Sequence, residues 1–503
     1  MGDSFGHYPA VIYGGTLPGV SALRSLRAVS DDLEVLFVNP QPGWGGQAGI
    51  GRQNSWDLRD WQRNGEAMTA QGGTFRHWYD SSGLSYDPTA FEGLVGETVR
   101  DTDGVDLLDY WDVVDFERTT EGSVDRIEVA PLKRTGGETK QSGESVVFDA
   151  DTFIDASESG RLARLANVPY TVGRASWERD NRQMAATLMF AMEGVEWRTI
   201  EQNRSPDGQR TYGSTTDARD DQRLFWGGQW YARESTPVQE FNEAFPRFRL
   251  KAINAAEGRS GVFWFNALLI YDVDGRYDTR DDGKILKHDQ RPWHRDEARE
   301  RAVAAITDDR FRAAIRAFPG LESATLVDRD GSPAIAESVY LRETIHMTRD
   351  SGYAVTENHV LEAGDGPDNG ADADLYDTRV GLCYYWMDNN GYDASRPSDD
   401  AEFYATDNPV YLPYEVLVPK TCSNLLVPGY AASFSSRAWF EARVLPNLCV
   451  LGDAAGVAAA VATEDEVPPG RFESRQIEKT QESLVDDVGA ILEKDLSHGT
   501  VDR

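Results

Sequence analysis

Six residues near the amino end, Gly14-Gly-Thr-Leu-Pro-Gly19, stand between an apolar run, Ala10-Val-Ile-Tyr13, and a stretch of helical periodicity that starts at Val20. Glycine at 14 permits a tight turn, Gly15 lets the backbone approach a ligand, and Gly19 lets helix and strand pack closely. Amides at a helix start and the helix dipole together favour an anion, so the spacing predicts a pyrophosphate site. Thr16 stands where the strict G-x-G-x-x-G pattern has its middle glycine. The ribose grip expected at the end of the second strand is acidic. Here it is the amide Asn39, 20 residues beyond Gly19, which still hydrogen-bonds hydroxyls. A strand, turn and helix without a ligand is the alternative for this motif alone.

A second glycine cluster, Gly43-Trp-Gly-Gly-Gln-Ala-Gly-Ile-Gly51, follows at once. A nicotinamide dehydrogenase has no need of it. A dinucleotide whose isoalloxazine must lie against the backbone does.

The elements that position these residues begin with a βαβ unit: strand, glycine turn, helix to about Ser30, and a second strand, Leu33-Glu-Val-Leu-Phe-Val38. Pro18 fits the first turn of that helix, where its missing N–H has no partner to lose. From Val105 to Phe153 the apolar period becomes two, which predicts an antiparallel meander. Asp151-Thr-Phe-Ile-Asp155 then reads as a buried strand leading through Ala156–Gly160 to a helix ending at Leu165. The middle of the chain mixes acidic loops (Thr215 to Asp221, Asp272 to Gly283, Asp365 to Asp377) with aromatic segments and an amphipathic helix over Asp296 to Phe318. None of these loops has a calcium-loop spacing, and they read as solvated. Strands at Asn424–Val427 and Leu448–Leu451 follow, and Gly452-Asp-Ala-Ala-Gly456 is expected to open an Ala/Val helix. The fold class expected is α/β: a Rossmann-like domain with a central parallel sheet and a meander, built from 1–179 and 420–503. An α+β substrate or cap domain is inserted at 180–419.

Composition narrows the function further. The 503 residues carry 84 acidic against 51 basic side chains, a net charge of −33, and that surface lacks the cations that nucleic-acid binding requires. Only eight of the basic residues are lysine. The Lys-poor acidic surface resembles that of salt-loving microbes, whose solvent screens self-repulsion over about 3 Å at about 1 M salt. An acidic mesophilic protein is the alternative. Cys383, Cys422 and Cys449 are too few and too dispersed for a disulfide framework or a cysteine metal site. The seven histidines show no ligand spacing, His288 and His294 included. No signal peptide and no apolar run of membrane-spanning length is legible, so a cytoplasmic location is expected.

Five segments, taken in order, resemble a family of FAD-dependent oxidoreductases distantly related to the fumarate reductase and succinate dehydrogenase flavoproteins. They are Val11–Gly19, Phe153–Tyr170, Tyr340-Leu-Arg-Glu-Thr344, Leu412–Pro419, and Asn424–Gly429 continuing through Arg443-Val-Leu-Pro446 to Leu451–Gly456. The resemblance implies that Gly14, Gly15, Thr16 and Gly19 hold the FAD pyrophosphate, Asn39 the ribose, and Gly45 and Gly46 the flavin end. It implies further that Val114 offers backbone to the adenine, that Ala156 and Ser157 border the pyrophosphate, and that Gly452 and Asp453 reach the ribityl chain. The helix opening at Ala455-Gly456 would then aim its dipole at the flavin edge where negative charge develops.

Two positions depart from the family. Ser436 stands where the family often has a proton-donating histidine, and Ile345 and His346 replace an arginine pair. Arg342 can clamp a substrate carboxylate or form a plain ion pair with Glu343; His346 can move a proton or be structural; Arg443 is open to both kinds of role. The function expected is transfer of hydride or electrons between a small organic substrate and flavin N5. Its rivals are a flavoprotein with redox-neutral or structural use of FAD, a binding protein retaining the fold without catalysis, and a nicotinamide-only dehydrogenase.

Overall fold

In the computed structural model the described residues are 4–494, apart from 64–65, 136–137, 178, 218, 220, 260, 277–291, 330, 351 and 397–400. His288 and residues 277–283 of one acidic loop lie outside the described residues.

Strand β1 (Ser4–Tyr13) is the centre of an eight-stranded sheet. Its neighbours are β2 (Val35–Asn39), in parallel with Tyr13 opposite Val38, and β7 (Val146–Asp155), in parallel with Tyr13 opposite Asp155. Every residue of β2 is buried, as expected of an inner strand of a parallel sheet covered on both faces. Beyond β2 lies β3 (Val105–Asp109), and beyond β7 come β5 (Val124–Thr135) and β4 (Trp111–Arg118), with β6 (Glu138–Gln141) paired to β5. A short strand at Leu425–Leu426 runs parallel to the end of β7, so the carboxyl-terminal part of the chain completes the sheet begun by the amino-terminal part.

Alternation along β1 sorts its side chains to two cores. Ala10 and Ile12 join the helices α1 (Leu17–Val29) and α6 (Leu445–Asp465), whereas Val11 and Tyr13 join the side of β4, β5 and the helix Arg161–Leu165. Between the two halves of this sheet the chain forms a second, seven-stranded sheet. It is made of β8 (Ala186–Thr187), β9 (Phe190–Glu193), β10 (Tyr212–Thr216), β11 (Arg223–Gly227), β12 (Phe248–Arg259), β13 (Val262–Ile270) and β14 (Thr325–Leu326).

Three expectations are corrected. Val105–Asp109 does not start the meander but pairs in parallel with β2, Asn39 opposite Asp109; an alternating pattern reports a half-buried strand and not its partner's direction. The single helix expected over Asp296 to Phe318 is two, α3 (Arg295–Ile306) and α4 (Asp309–Arg316), because Asp308 leaves the helix and its carboxylate caps the amide of Arg310 at 2.8 Å. Leu448–Leu451 is not a strand but the second turn of α6. Its short apolar run fits a buried helix equally well, and Pro446 in the first turn marks the true start.

Helix α6 is the one described helix long and apolar enough to cross a membrane, and its apolar window is wholly buried inside the protein. It crosses α1 at backbone contact: a Cβ on Gly452 would overlap the carbonyl of Pro18, and one on Gly456 the carbonyl of Ala22.

Candidate functional site

The parallel strands β1, β2 and β7 end side by side, and the chain leaves each through a polar turn. A cleft lies over these ends, lined by Tyr13, Gly14 and Thr16, by Pro40, Gln41 and Pro42, and by Ser157, Glu158 and Ser159. That is where ligands bind in open parallel sheets. Local chemistry sets its floor. Gly14 has φ +122°, and a Cβ there would lie 2.8 Å from the Ala156 carbonyl carbon. Thr16 caps α1 by accepting from the Gly19 amide at 3.3 Å while donating to the Ala156 carbonyl at 2.7 Å. Gly19 lies so close to the Gly14 carbonyl that no side chain fits.

The second glycine cluster folds back onto this turn. The Gly45 amide donates to the Gly15 carbonyl at 2.7 Å, and Gly45 and Gly46 both take positive φ, +76° and +52°. Asn39 is fully buried and holds the cluster in place: its Nδ2 donates to the Gly43 carbonyl at 3.1 Å and to Asp109 at 2.9 Å, and its Oδ1 accepts from the Gln41 amide at 3.1 Å. Only one lone pair on Oδ1 is left for a ribose. Val114 sits at a bulge where the β4–β5 register shifts, Val113 pairing with Val129 and Asp115 with Glu128. Ser157 borders the cleft, and its hydroxyl donates to Asp155 at 2.6 Å and accepts from the Arg161 amide at 3.1 Å.

The opposite wall belongs to α3 and its surroundings. Arg134, Arg276, Arg295 and Arg299 line the cleft, outnumbering the carboxylates Glu158, Asp296 and Glu337. Arg295 neutralises Glu158 at 2.6 Å. Arg299 donates from Nε to the Ala336 carbonyl at 2.9 Å, and burial followed by the neighbouring Arg134 lowers its pKa. Its Nη atoms have no hydrogen-bond partner among the described residues, and the residue lines the cleft. Gln41 Oε1 in the cleft and Gln47 Oε1 in the glycine cluster are likewise buried without a partner among the described residues. Free buried acceptors, free guanidinium donors and a glycine-lined floor fit a large dinucleotide bearing a diphosphate and a hydrogen-bonding ring system.

Four residues assigned to the cofactor from sequence are placed elsewhere. Because α6 opens at Leu445, Gly452 lies seven residues and about 10 Å of helix beyond its amino end. Gly452 and Gly456 are instead contact points with α1, and Ala455 is in the core. Asp453 accepts from Ser25 Oγ at 2.5 Å and from the amide of Thr74 at 2.9 Å, in the helix α2 (Gly73–Ser82). Burial raises its pKa to about 6.

The residues assigned to chemistry divide into two groups. Arg342 spends Nη1 on the Ala185 carbonyl (2.7 Å) and Nη2 on Asn266 (3.0 Å), so the ion pair with Glu343 does not form. Glu343 binds His346 Nε2 at 2.8 Å, the Met184 amide at 2.9 Å and the hydroxyl of Ser436. His346 is fully buried beside Glu343, and its Nδ1 has no partner among the described residues. Arg443, at the junction of α5 (Ser436–Ala442) and α6, donates to Tyr340 Oη at 3.3 Å and pairs with Asp388. The Arg342 guanidinium lies 4.8 Å from the centroid of the same Tyr340 ring. The structure thus brings Arg342 and Arg443 together and leaves His346 behind them.

Around Tyr340 lies a chamber that the sequence did not announce. Asp57, Lys251, Tyr385 and Asp388 are each only partly buried by surface area, and they stand near one another and near Arg342 and Arg443. Burial, with Arg342 adding repulsion, pushes Lys251 down to about 8. Burial likewise raises the Asp57 carboxyl against the pull of Arg443. One signal was available for Lys251: it is one of only eight lysines and is flanked by the apolar residues Leu250, Ala252 and Ile253. Among the described residues no cluster of His, Cys, Asp and Glu is arranged to hold a metal ion.

Residues 10–484 match the model of a family described as FAD dependent oxidoreductase. No curated protein matches the chain. Among solved structures it is similar to a myxobacterial FAD-dependent chondrochloren halogenase, at 14% identity and TM-score 0.40, over 94% of this chain and 78% of that one. It is also similar to the flavin-dependent monooxygenase PieE (12%, TM-score 0.39, 97% of this chain) and covers 65% of that protein, less than two thirds of its length. A third is PqsL, a probable FAD-dependent monooxygenase from Pseudomonas aeruginosa, at 9% identity and TM-score 0.31, with 96% and 92% covered.

Proposed function

Because the chain belongs to the FAD dependent oxidoreductase family, and is an FAD-dependent enzyme, we propose that it moves an electron pair between a small organic substrate and flavin N5. The observation that carries this reading is the glycine-floored cleft, together with a group of enclosed charges, Lys251 and Asp57, that have no partner among the described residues. In this reading the turn from Gly14 to Gly19, Ala156, Ser157, Gln41 and the arginines of the opposite wall hold the cofactor's diphosphate, and Val114 offers free backbone to the adenine. Gly45, Gly46 and Gln47 hold the flavin end. The amino end of α6 at Leu445, rather than Gly452, supplies the helix dipole that favours negative charge.

When bound, FAD supplies a two-electron couple. This chain's own residues do the rest: Arg443, held by Asp388, fixes Tyr340, and Arg342 stiffens the chamber wall through Asn266. In the domain division that goes with this reading, residues 1–179 and 420–503 carry most of the cofactor site, and 180–419 adds Arg276, Arg295 and Arg299 to it and supplies the substrate wall.

Anaerobic mixing of FAD-loaded protein with a substrate tests the proposal. Bleaching of the flavin band near ~450 nm by substrate alone supports electron transfer. Turnover of substrate with the flavin still oxidised would replace this reading by a redox-neutral one.

A further inference from the structure

We propose that Lys251 and Asp57 select the substrate, and that it is a small hydroxy-monocarboxylate whose carboxylate meets Lys251 and whose hydroxyl meets Asp57. The inference rests on the function proposed above and names the substrate class for it.

Every other charged group of the chamber is already engaged. Arg342 is held by Ala185 and Asn266, and Arg443 and Asp388 hold each other. Lys251 Nζ and the Asp57 carboxylate have neither a hydrogen bond nor an ion pair among the described residues; each registers only as a nearby charge on the other and on the arginines. A charge enclosed by protein and left unpaired is costly unless something else completes it.

Lys251 stands at a break in the second sheet. The β12–β13 ladder is regular as far as Leu250 opposite Leu268, then shifts register and resumes at Asn254 opposite Asn266, and Lys251 is the first residue of the irregular stretch. Register breaks of this kind re-aim side chains beside functional sites. Asn266, where the ladder resumes, is the residue that grips Arg342. Asp57 comes from the other side of the chamber, next to Trp56, whose ring is fixed among Phe75, Tyr86 and Phe91.

Charge decides the ligand. Lys251, Arg342 and Arg443 against Asp57 and Asp388 leave one uncompensated positive charge, in a chain whose net charge is −33. A monoanion neutralises it; a dicarboxylate overshoots, and a neutral alcohol leaves Lys251 bare. Asp57 adds an acceptor that a simple carboxylic acid cannot use and a hydroxyl can.

The test uses the full chain loaded with FAD, with binding read from perturbation of the flavin absorption by 2-hydroxybutyrate, butyrate, 2-butanol and malate. Tightest binding of 2-hydroxybutyrate is expected, by about tenfold or more over each of the others. Lys251→Met should weaken 2-hydroxybutyrate and butyrate alike by about fiftyfold and leave 2-butanol unchanged. Asp57→Asn should weaken only the hydroxylated probes, and Lys251→Arg should keep the preference for carboxylates. Unchanged probe affinities in FAD-loaded Lys251→Met would overturn the proposal. So would loss of FAD by Lys251→Met or Lys251→Arg without loss of probe preference, which would assign the lysine to the cofactor. A wild-type chain that takes up no FAD contradicts the underlying function instead, and the flavin spectrum shows which of the two has failed.

Discussion

The hydroxyl of Thr16 donates to the carbonyl of Ala156 at 2.7 Å, tying the amino end of α1 to the turn that follows β7. One side chain therefore caps the helix and closes the floor of the cofactor cleft, in the place where the strict motif has a glycine.

Thr16→Val keeps the shape of this residue and removes its oxygen. Chemical denaturation should show a loss of about 1–2 kcal/mol, the usual range for a lost cap, and a fluorescence titration should show weaker FAD binding than wild type. Unaltered FAD affinity would separate the cap from the cleft.

Gly456→Leu tests the crossing of α1 and α6. Any side chain there overlaps the Ala22 carbonyl, so the helices must part, and overpacking of this kind costs about 1–3 kcal/mol or more. A lowered melting temperature is expected. A variant as stable as wild type would mean that Gly456 is free to serve the cofactor after all.

Glu441 should give the protein a stability that falls as pH rises. Its carboxyl is fully buried, one oxygen has no partner among the described residues, and burial raises its pKa to about 8. Between an unfolded value of about 4.3 and about 8, the folded chain binds the proton and the unfolded chain does not. Stability therefore declines across that window and levels off above it. In Glu441→Gln this decline is absent, so the variant should gain on the order of a few kcal/mol on wild type between pH 5 and pH 8.5. Parallel pH profiles from urea denaturation would contradict the assignment.

The acidic surface predicts a salt requirement. With a net charge of −33, raising KCl from about 0.1 to about 2 M should raise the melting temperature of wild type by screening self-repulsion. A melting temperature that is flat or falls over that range would remove the resemblance to salt-adapted proteins.

Much of this fold was legible locally, because the turn at Gly14–Gly19 and the fully buried β2 are set by contacts close in sequence. Two kinds of information were not. The direction of β3 and the helical state of Leu448–Leu451 depend on distant partners, β2 and α1, which no local pattern reports. The chamber was equally hidden, since Asp57 and Lys251 are far apart in the chain and come near each other only where the second sheet packs on the segment at Gln53 and Asn54. Arg342 and Arg443 were singled out through family resemblance, whereas the residue type of His346 left proton transfer and a structural role equally open, and only the fold shows it buried against Glu343.

The central claim is that FAD is held in the cleft over β1, β2 and β7, and a titration of FAD against wild type and Arg299→Glu at matched KCl tests it most directly. Arg299 is partly exposed and makes one hydrogen bond, from Nε to the Ala336 carbonyl, so reversing its charge removes that bond alone while opposing a diphosphate, and a matched melting temperature checks that the fold is kept. Wild type should bind one FAD per chain, with bands near ~375 and ~450 nm that bleach with dithionite, and Arg299→Glu should bind about tenfold or more weakly. Absence of FAD binding by wild type, or equal affinity in the two proteins, would contradict the placement of the cofactor in this cleft.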